Sequence, residues 1–186
     1  AWLVRIAVLM VLGWVGWSFY DGFVRHRSAE VIALEAAHKA FADGRLADAR
    51  VGYRELLESD PGHIGARRGL ARTLMELGRL DAAMRHFNRA IDAAPGFGAT
   101  YANRGILHDR MGHHAQALAD YRRALELDPE LAEGPGWLTR FMRNQPEPPP
   151  TIDDRARYLA RELDKPPGER RLRVPQEDAR QESYRV

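Results

Sequence analysis

The sequence predicts an all-α protein: a solenoid of three helical hairpins with a capping helix, preceded by one membrane-spanning helix. Three observations carry that prediction. A long apolar run with one charge opens the chain, four kinds of residue recur every 34 positions through its middle, and a glycine and a proline punctuate each recurrence. The 186 residues are enough for one ordinary domain with attachments, which excludes a pair of large catalytic domains. Composition excludes more. Without cysteine there are no disulfides, thiolate metal sites, iron–sulfur clusters or thiol nucleophile. Lys and Arg number 28 against 26 Asp and Glu, a net charge of +2, too even for the concentrated basic field of a nucleic-acid binder. Only Lys39 and Lys165 are lysines, and with abundant Ala and Gly this points to a GC-rich bacterial genome.

Residues 2–20, WLVRIAVLMVLGWVGWSFY, hold a single charge, Arg5. At about 1.5 Å per residue such a helix covers roughly 28 Å, close to the hydrocarbon thickness of a bilayer. Arg5 is near enough to one end to snorkel, and Trp2, Trp14, Trp17 and Tyr20 suit the two interfaces. Residues 1–27 are therefore expected to be an anchor in the lipid bilayer with a basic flank. A cleavable signal peptide competes through Gly16-Trp17-Ser18, where small residues stand at the two positions a signal peptidase reads. Charge counting leaves orientation open, because Arg5 faces Arg25 and Arg27 offset by Asp21. A short basic start followed directly by an apolar run has the layout of an export signal. That places the repeats in the periplasm, on a single-pass protein of the bacterial inner membrane.

The repeat follows. Pro61, Pro95 and Pro129 are 34 apart, as are Gly44, Gly78 and Gly112, then Ala49, Ala83 and Ala117, then Tyr53, Phe87 and Tyr121. Helical apolar spacing runs through 30–43, 46–59, 64–77, 80–93, 100–111 and 114–127. Each glycine falls where a first helix must end in a left-handed residue, and each proline stops a second helix. The alanines allow close helix approach, and the aromatic four residues later fills the next hole. One hairpin cannot bury its apolar face alone, so about three stacked units are the usual minimum.

After Pro129, residues 131–144 set Trp137, Leu138, Phe141 and Met142 on one helical face, suited to cap the third hairpin. This completes a unit over 28–144. Residues 145–186 read as a tail: a stiff Pro-rich spacer at 145–150, then Thr151 as N-cap of a helix over 152–163 with Asp153 and Asp154 in its first turn. The remainder is too polar to fold alone. Tyr158, Leu159, Leu163, Leu172, Val174 and Tyr184 are its spaced anchors, expected to dock on a partner complex. On that reading a chain ending at Asn144 keeps its melting temperature.

The 34-residue unit resembles the tetratricopeptide-repeat family. The best unit, 98–131, carries Tyr101, Gly105, Gly112, Ala117, Tyr121, Ala124 and Pro129 in family positions, with Ala37 and Ala71 where the third unit has Gly105. The resemblance covers about 102 residues. It implies that first helices line a concave face through positions 2, 5, 9 and 12 of each unit. These are Val31, Leu34, His38 and Phe41, then Gly65, Arg68, Arg72 and Met75, then Ala99, Ala102, Ile106 and Asp109. Of the Lys and Asn set with which family members clamp a chaperone's terminal carboxylate, only Asn103 has a counterpart. Arg68 and Arg72, one turn apart, make a candidate fork for an acidic peptide.

Catalytic signatures are missing: no phosphate loop, no nucleophile elbow and no paired zinc histidines. His108, His113 and His114 cluster at the third turn and read as packed or solvated residues, so neither cofactor nor metal is expected. The expected function is non-enzymatic: a membrane-anchored interaction scaffold, an accessory subunit or assembly factor, whose partners are other membrane or periplasmic proteins. The competing reading is an adaptor that recruits soluble clients through the concave groove.

Overall fold

The computed structural model of the chain describes residues 2–24, 29–134, 149–175 and 183–184. Helix α1 is Trp2–Val24, and the repeats are α2 (Ala29–Ala42), α3 (Leu46–Ser59), α4 (Ile64–Glu76), α5 (Leu80–Ala93), α6 (Gly98–Arg110) and α7 (His114–Leu127). A short 3-10 turn, Pro129–Ala132, closes α7, and α8 is Ile152–Leu163. Consecutive repeat helices pack in series, while α2 touches α4 and α4 touches α6, so the three first helices form an inner layer.

The hairpin turns follow from their glycines. Gly44, Gly78 and Gly112 have φ of +74°, +71° and +80°. In the first turn the Gly44 N–H donates to Phe41 O at 3.0 Å and the Arg45 N–H to Ala40 O at 2.9 Å, a pairing repeated at the other two turns. The left-handed residue thereby satisfies carbonyls that the helix end leaves orphaned.

Packing between helices rests on three aromatics. Tyr53, Phe87 and Tyr121 are fully buried, as are Ala49, Ala83 and Ala117 one turn before them. The opposing helix must be bare where a tyrosine lies against it: a Cβ on Gly69 would meet the Tyr53 ring at 2.3 Å, and one on Gly105 the Tyr121 ring at 2.6 Å. Helix α6 starts at Gly98, two residues before the expected 100, because its first turn lies against the end of α7, where a Cβ would come within 2.9 Å of Ala124 O.

The sequence predicts a cap over residues 131–144. Its apolar residues, Trp137, Leu138, Phe141 and Met142, lie outside the described residues. Among the described residues it is α8 that packs against α7 and the 3-10 turn. Thr151 caps α8 reciprocally: its Oγ1 accepts the Asp154 N–H at 3.2 Å, and Asp154 Oδ2 accepts the Thr151 N–H at 3.1 Å. Ile152, Ala156 and Leu159 join the same hydrophobic core as the repeats. The helix assigned to a separate tail is thus part of the folded unit.

The membrane span expected over 2–20 meets a 23-residue helix, α1. Among the described residues no helix is long and apolar enough to cross a membrane. The side chains described in α1 are Trp2 and residues 5–18; Ile6 is half-buried, and the other large apolar ones are exposed, from Val8 at 50% to Trp2 at 73%.

Candidate functional site: the inner helix layer and its occupant

The candidate groove residues project from α2, α4 and α6, but the structure does not leave them as an open strip. On α2, His38 Nδ1 lies 2.7 Å from the Tyr53 hydroxyl, tying the inner layer to α3. Burial pushes the Tyr53 phenol up to about 12, against the opposing pull of Arg72. Phe41 is half-buried, and the Arg72 guanidinium lies 4.3 Å from its ring centre. Arg68 stacks over Phe97 at 3.8 Å, and its burial lowers its pKa. The two arginines therefore face different aromatics instead of forming one fork. Met75 and Ile106 are core residues, 1% and 0% exposed.

Part of the tail fills the middle of this surface. Asn103 of α6, fully buried, donates from Nδ2 to Tyr184 O at 2.9 Å and accepts the Tyr184 N–H on Oδ1 at 2.7 Å. One side-chain amide thus satisfies both backbone groups of a single extended residue. Beside it, Arg72 donates from Nε and a terminal nitrogen to Ser183 Oγ at 3.3 and 3.2 Å. The Tyr184 hydroxyl donates to Leu131 O at 3.2 Å and accepts the Ile152 N–H at 3.1 Å. Burial pushes this phenol's pKa up, with the Ile152 N–H opposing. Tyr184 therefore sits where α6, the 3-10 turn and the start of α8 converge.

Asp109, expected to face a partner, instead anchors the tail. Arg155 of α8 donates Nε to Asp109 Oδ2 at 2.6 Å and a terminal nitrogen to Oδ1 at 3.0 Å, with both side chains about 5% exposed. His114 Nδ1 lies 2.8 Å from Asp109 Oδ1, and the Tyr121 hydroxyl donates to Oδ2 at 3.4 Å. Arg155 also donates to Leu172 O at 2.9 Å, and Arg173 to Arg110 O at 3.2 Å, which lays 171–174 along the end of α6.

The tail anchors consequently face inward. Leu159 is fully buried, while Tyr158, Leu163, Leu172 and Tyr184 pack partly buried against the core, and Val174 is half-buried. Tyr158 donates its hydroxyl to Arg171 O. The partner-docking role expected for these residues is replaced by an intramolecular one: their apolar surface is spent on their own repeats. Sequence reasoning missed Arg155 and Ser183. A charged residue three positions after Ile152 and four before Leu159, on the apolar side of α8, was a signal that a buried counter-ion awaited Arg155. Ser183 carries no such signal.

Of the clustered histidines, His114 is bound to Asp109 and the rings of His108 and His113 lie 5.7 Å apart. Among the described residues no group of His, Asp and Glu converges as a metal site.

Helical hairpins of 34 residues with this turn and aromatic pattern define a class, and comparison with known proteins names it. Residues 40–103 and 98–131 each match a family described as tetratricopeptide repeat, so this segment is made of tetratricopeptide repeats. The chain is 30% identical over 91 residues to human Tetratricopeptide repeat protein 6, covering 49% of this chain and 17% of that protein. It is also 30% identical over 100 residues to rat DnaJ homolog subfamily C member 3, covering 54% and 20% respectively. The chain thus spans a fifth or less of the length of these relatives. Among solved structures, the first TPR of Spaghetti (RPAP3) bound to HSP90 peptide SRMEEVD aligns at a TM-score of 0.58 and 19% identity, over 73% of this chain and 94% of that one. MamA aligns at 0.52 and 17%, over 78% and 83%. At these identities the likeness speaks for the fold.

Proposed function

We propose that this chain is a non-catalytic, membrane-anchored scaffold, an accessory subunit or assembly factor of a bacterial inner-membrane complex, that recognises an extended segment of a partner on its inner helix layer. The observation that carries the recognition part is the double hydrogen bond of Asn103 with the backbone of Tyr184. A buried amide that accepts one residue's N–H and donates to its C=O reads extended backbone whatever chain supplies it. The RPAP3 repeat domain with its bound HSP90 peptide favours the same class of ligand.

Support for the anchor comes from α1. Residues 8–12 are consecutive and all exposed apolar side chains, so at about 100° per residue they sweep every side of the helix. On this proposal the repeat domain lies in the periplasm. Mild detergent extraction followed by size-exclusion chromatography tests the whole reading. The chain is expected in the membrane fraction and in fixed ratio with one complex. Recovery in the soluble fraction would remove the anchor, and elution without a partner would remove the subunit role. Alkaline phosphatase fused after residue 186 is expected to be active in intact bacteria, and an inactive but stable fusion would put the repeats on the other side.

A further inference from the structure

We propose that Ser183–Tyr184 is a resident ligand: the inner face selects an extended segment with a hydroxyl residue followed by tyrosine, and a partner carrying that pair must displace the chain's own copy. The inference rests on the reading of the inner layer as a peptide-recognition surface and adds its specificity and its control.

Each element of the specificity has a donor or acceptor behind it. Asn103 pairs both backbone groups of the second residue and so fixes register without reading a side chain. The two Arg72 N–H groups converge on one hydroxyl oxygen, which requires an oxygen acceptor just before the paired residue. Phe41, stacked on the same guanidinium, holds Arg72 in place. The phenol both donates, to Leu131 O, and accepts, from Ile152 N–H, a pair of roles that phenylalanine cannot fill, and both part-buried backbone groups lose that partner when the ring is absent. These contacts join four separate elements, α4, α6, the 3-10 turn and α8, to two adjacent residues, as a bound peptide would.

Control follows from connectivity. A segment on the same chain competes at high effective concentration, so the apparent affinity for a free peptide falls by the fraction of molecules whose site is open.

The test uses the full chain in detergent and a fluorescent, end-blocked peptide with the sequence of residues 180–186, read by anisotropy. Tyr184→Ala is expected to bind this probe about tenfold or more tightly than the wild type, because the resident copy is weakened. Adding Asn103→Ala to that variant is expected to abolish the gain, as is replacing the tyrosine of the probe by alanine. Equal binding to wild type and Tyr184→Ala, still dependent on Asn103, would overturn resident occupancy while leaving peptide recognition standing. No Asn103-dependent binding to either would overturn both. Should Tyr184→Ala fail to fold, Tyr184→Phe keeps the ring and the backbone pair and removes only the phenol bonds. It is expected to gain affinity for the probe to a smaller degree, and no gain over wild type overturns the proposal.

Discussion

At the residue scale, the strongest constraints are bare backbone against an aromatic ring and a buried ion pair. A Cβ on Gly69 would sit 2.3 Å from the Tyr53 ring, which lies inside the core and has no room to retreat. Gly69→Ala is therefore expected to destabilise by about 1–3 kcal/mol in thermal or denaturant unfolding, an overpacking cost. Gly96→Ala, with nothing within 4 Å, is the matched control and should be near neutral. Gly78→Val places a β-branched residue at φ +71° and should cost more than ~1 kcal/mol, against little for exposed Ala47→Val. Asp109→Ala strands Arg155 in a buried site, for an expected loss of about 3–5 kcal/mol. Pairing it with Arg155→Ala should cost less than the sum of the singles, as a double-mutant cycle will read.

Histidine titration gives a pH dependence of definite sign. Burial lowers the pKa of His86, with Arg67, Arg89 and Arg85 adding to it, and burial lowers His108 against the opposing pull of Asp120. The unfolded state binds protons at higher pH than the folded one, so the stability these neutral imidazoles confer is complete above about pH 6.5 and is lost as pH falls through their folded values. His86→Gln is expected to flatten the dependence of melting temperature on pH below that point, and an unchanged slope contradicts this assignment.

At the element scale, what was legible in the sequence is what neighbours in the chain decide. Gly44, Gly78 and Gly112 end helices through bonds spanning five residues or fewer, and Thr151 caps α8 through Asp154, three residues away. Such contacts leave a signature at fixed spacing, so the turns and the bounds of α8 could be read directly. The placement of α8 could not. It depends on Asp109 meeting Arg155 and on Asn103 meeting Tyr184, pairs 46 and 81 residues apart that no periodicity announces. The polar look of the tail misled for the same reason, since Arg155 counts as a solvated charge until its partner is known. With Ile152 and Leu159 in the repeat core, a chain ending at Asn144 exposes the flank of α7 and is expected to melt at lower temperature than the full chain, the reverse of the expectation from sequence. Thr151→Ala should cost about 1 kcal/mol through loss of the cap.

At the scale of the whole molecule, three hairpins supply an inner layer, α8 closes its far end, and two residues from beyond α8 return to its middle. The groove positions carried over from the family were legible as positions but not as roles. Asn103, Arg72 and Phe41 serve an extended segment, whereas Asp109, Met75 and Ile106 belong to the core that holds the layer together. Function on this view is a competition between an internal and an external peptide for Asn103. The most direct measurement is hydrogen exchange at the Tyr184 amide, whose proton Asn103 Oδ1 accepts at 2.7 Å. In the full-length chain this amide is expected to exchange slowly, and Asn103→Ala should release it to the rate of an open chain while the amides of α6 stay protected. Rapid exchange of Tyr184 in the wild type, or protection that survives Asn103→Ala, would contradict the occupied groove.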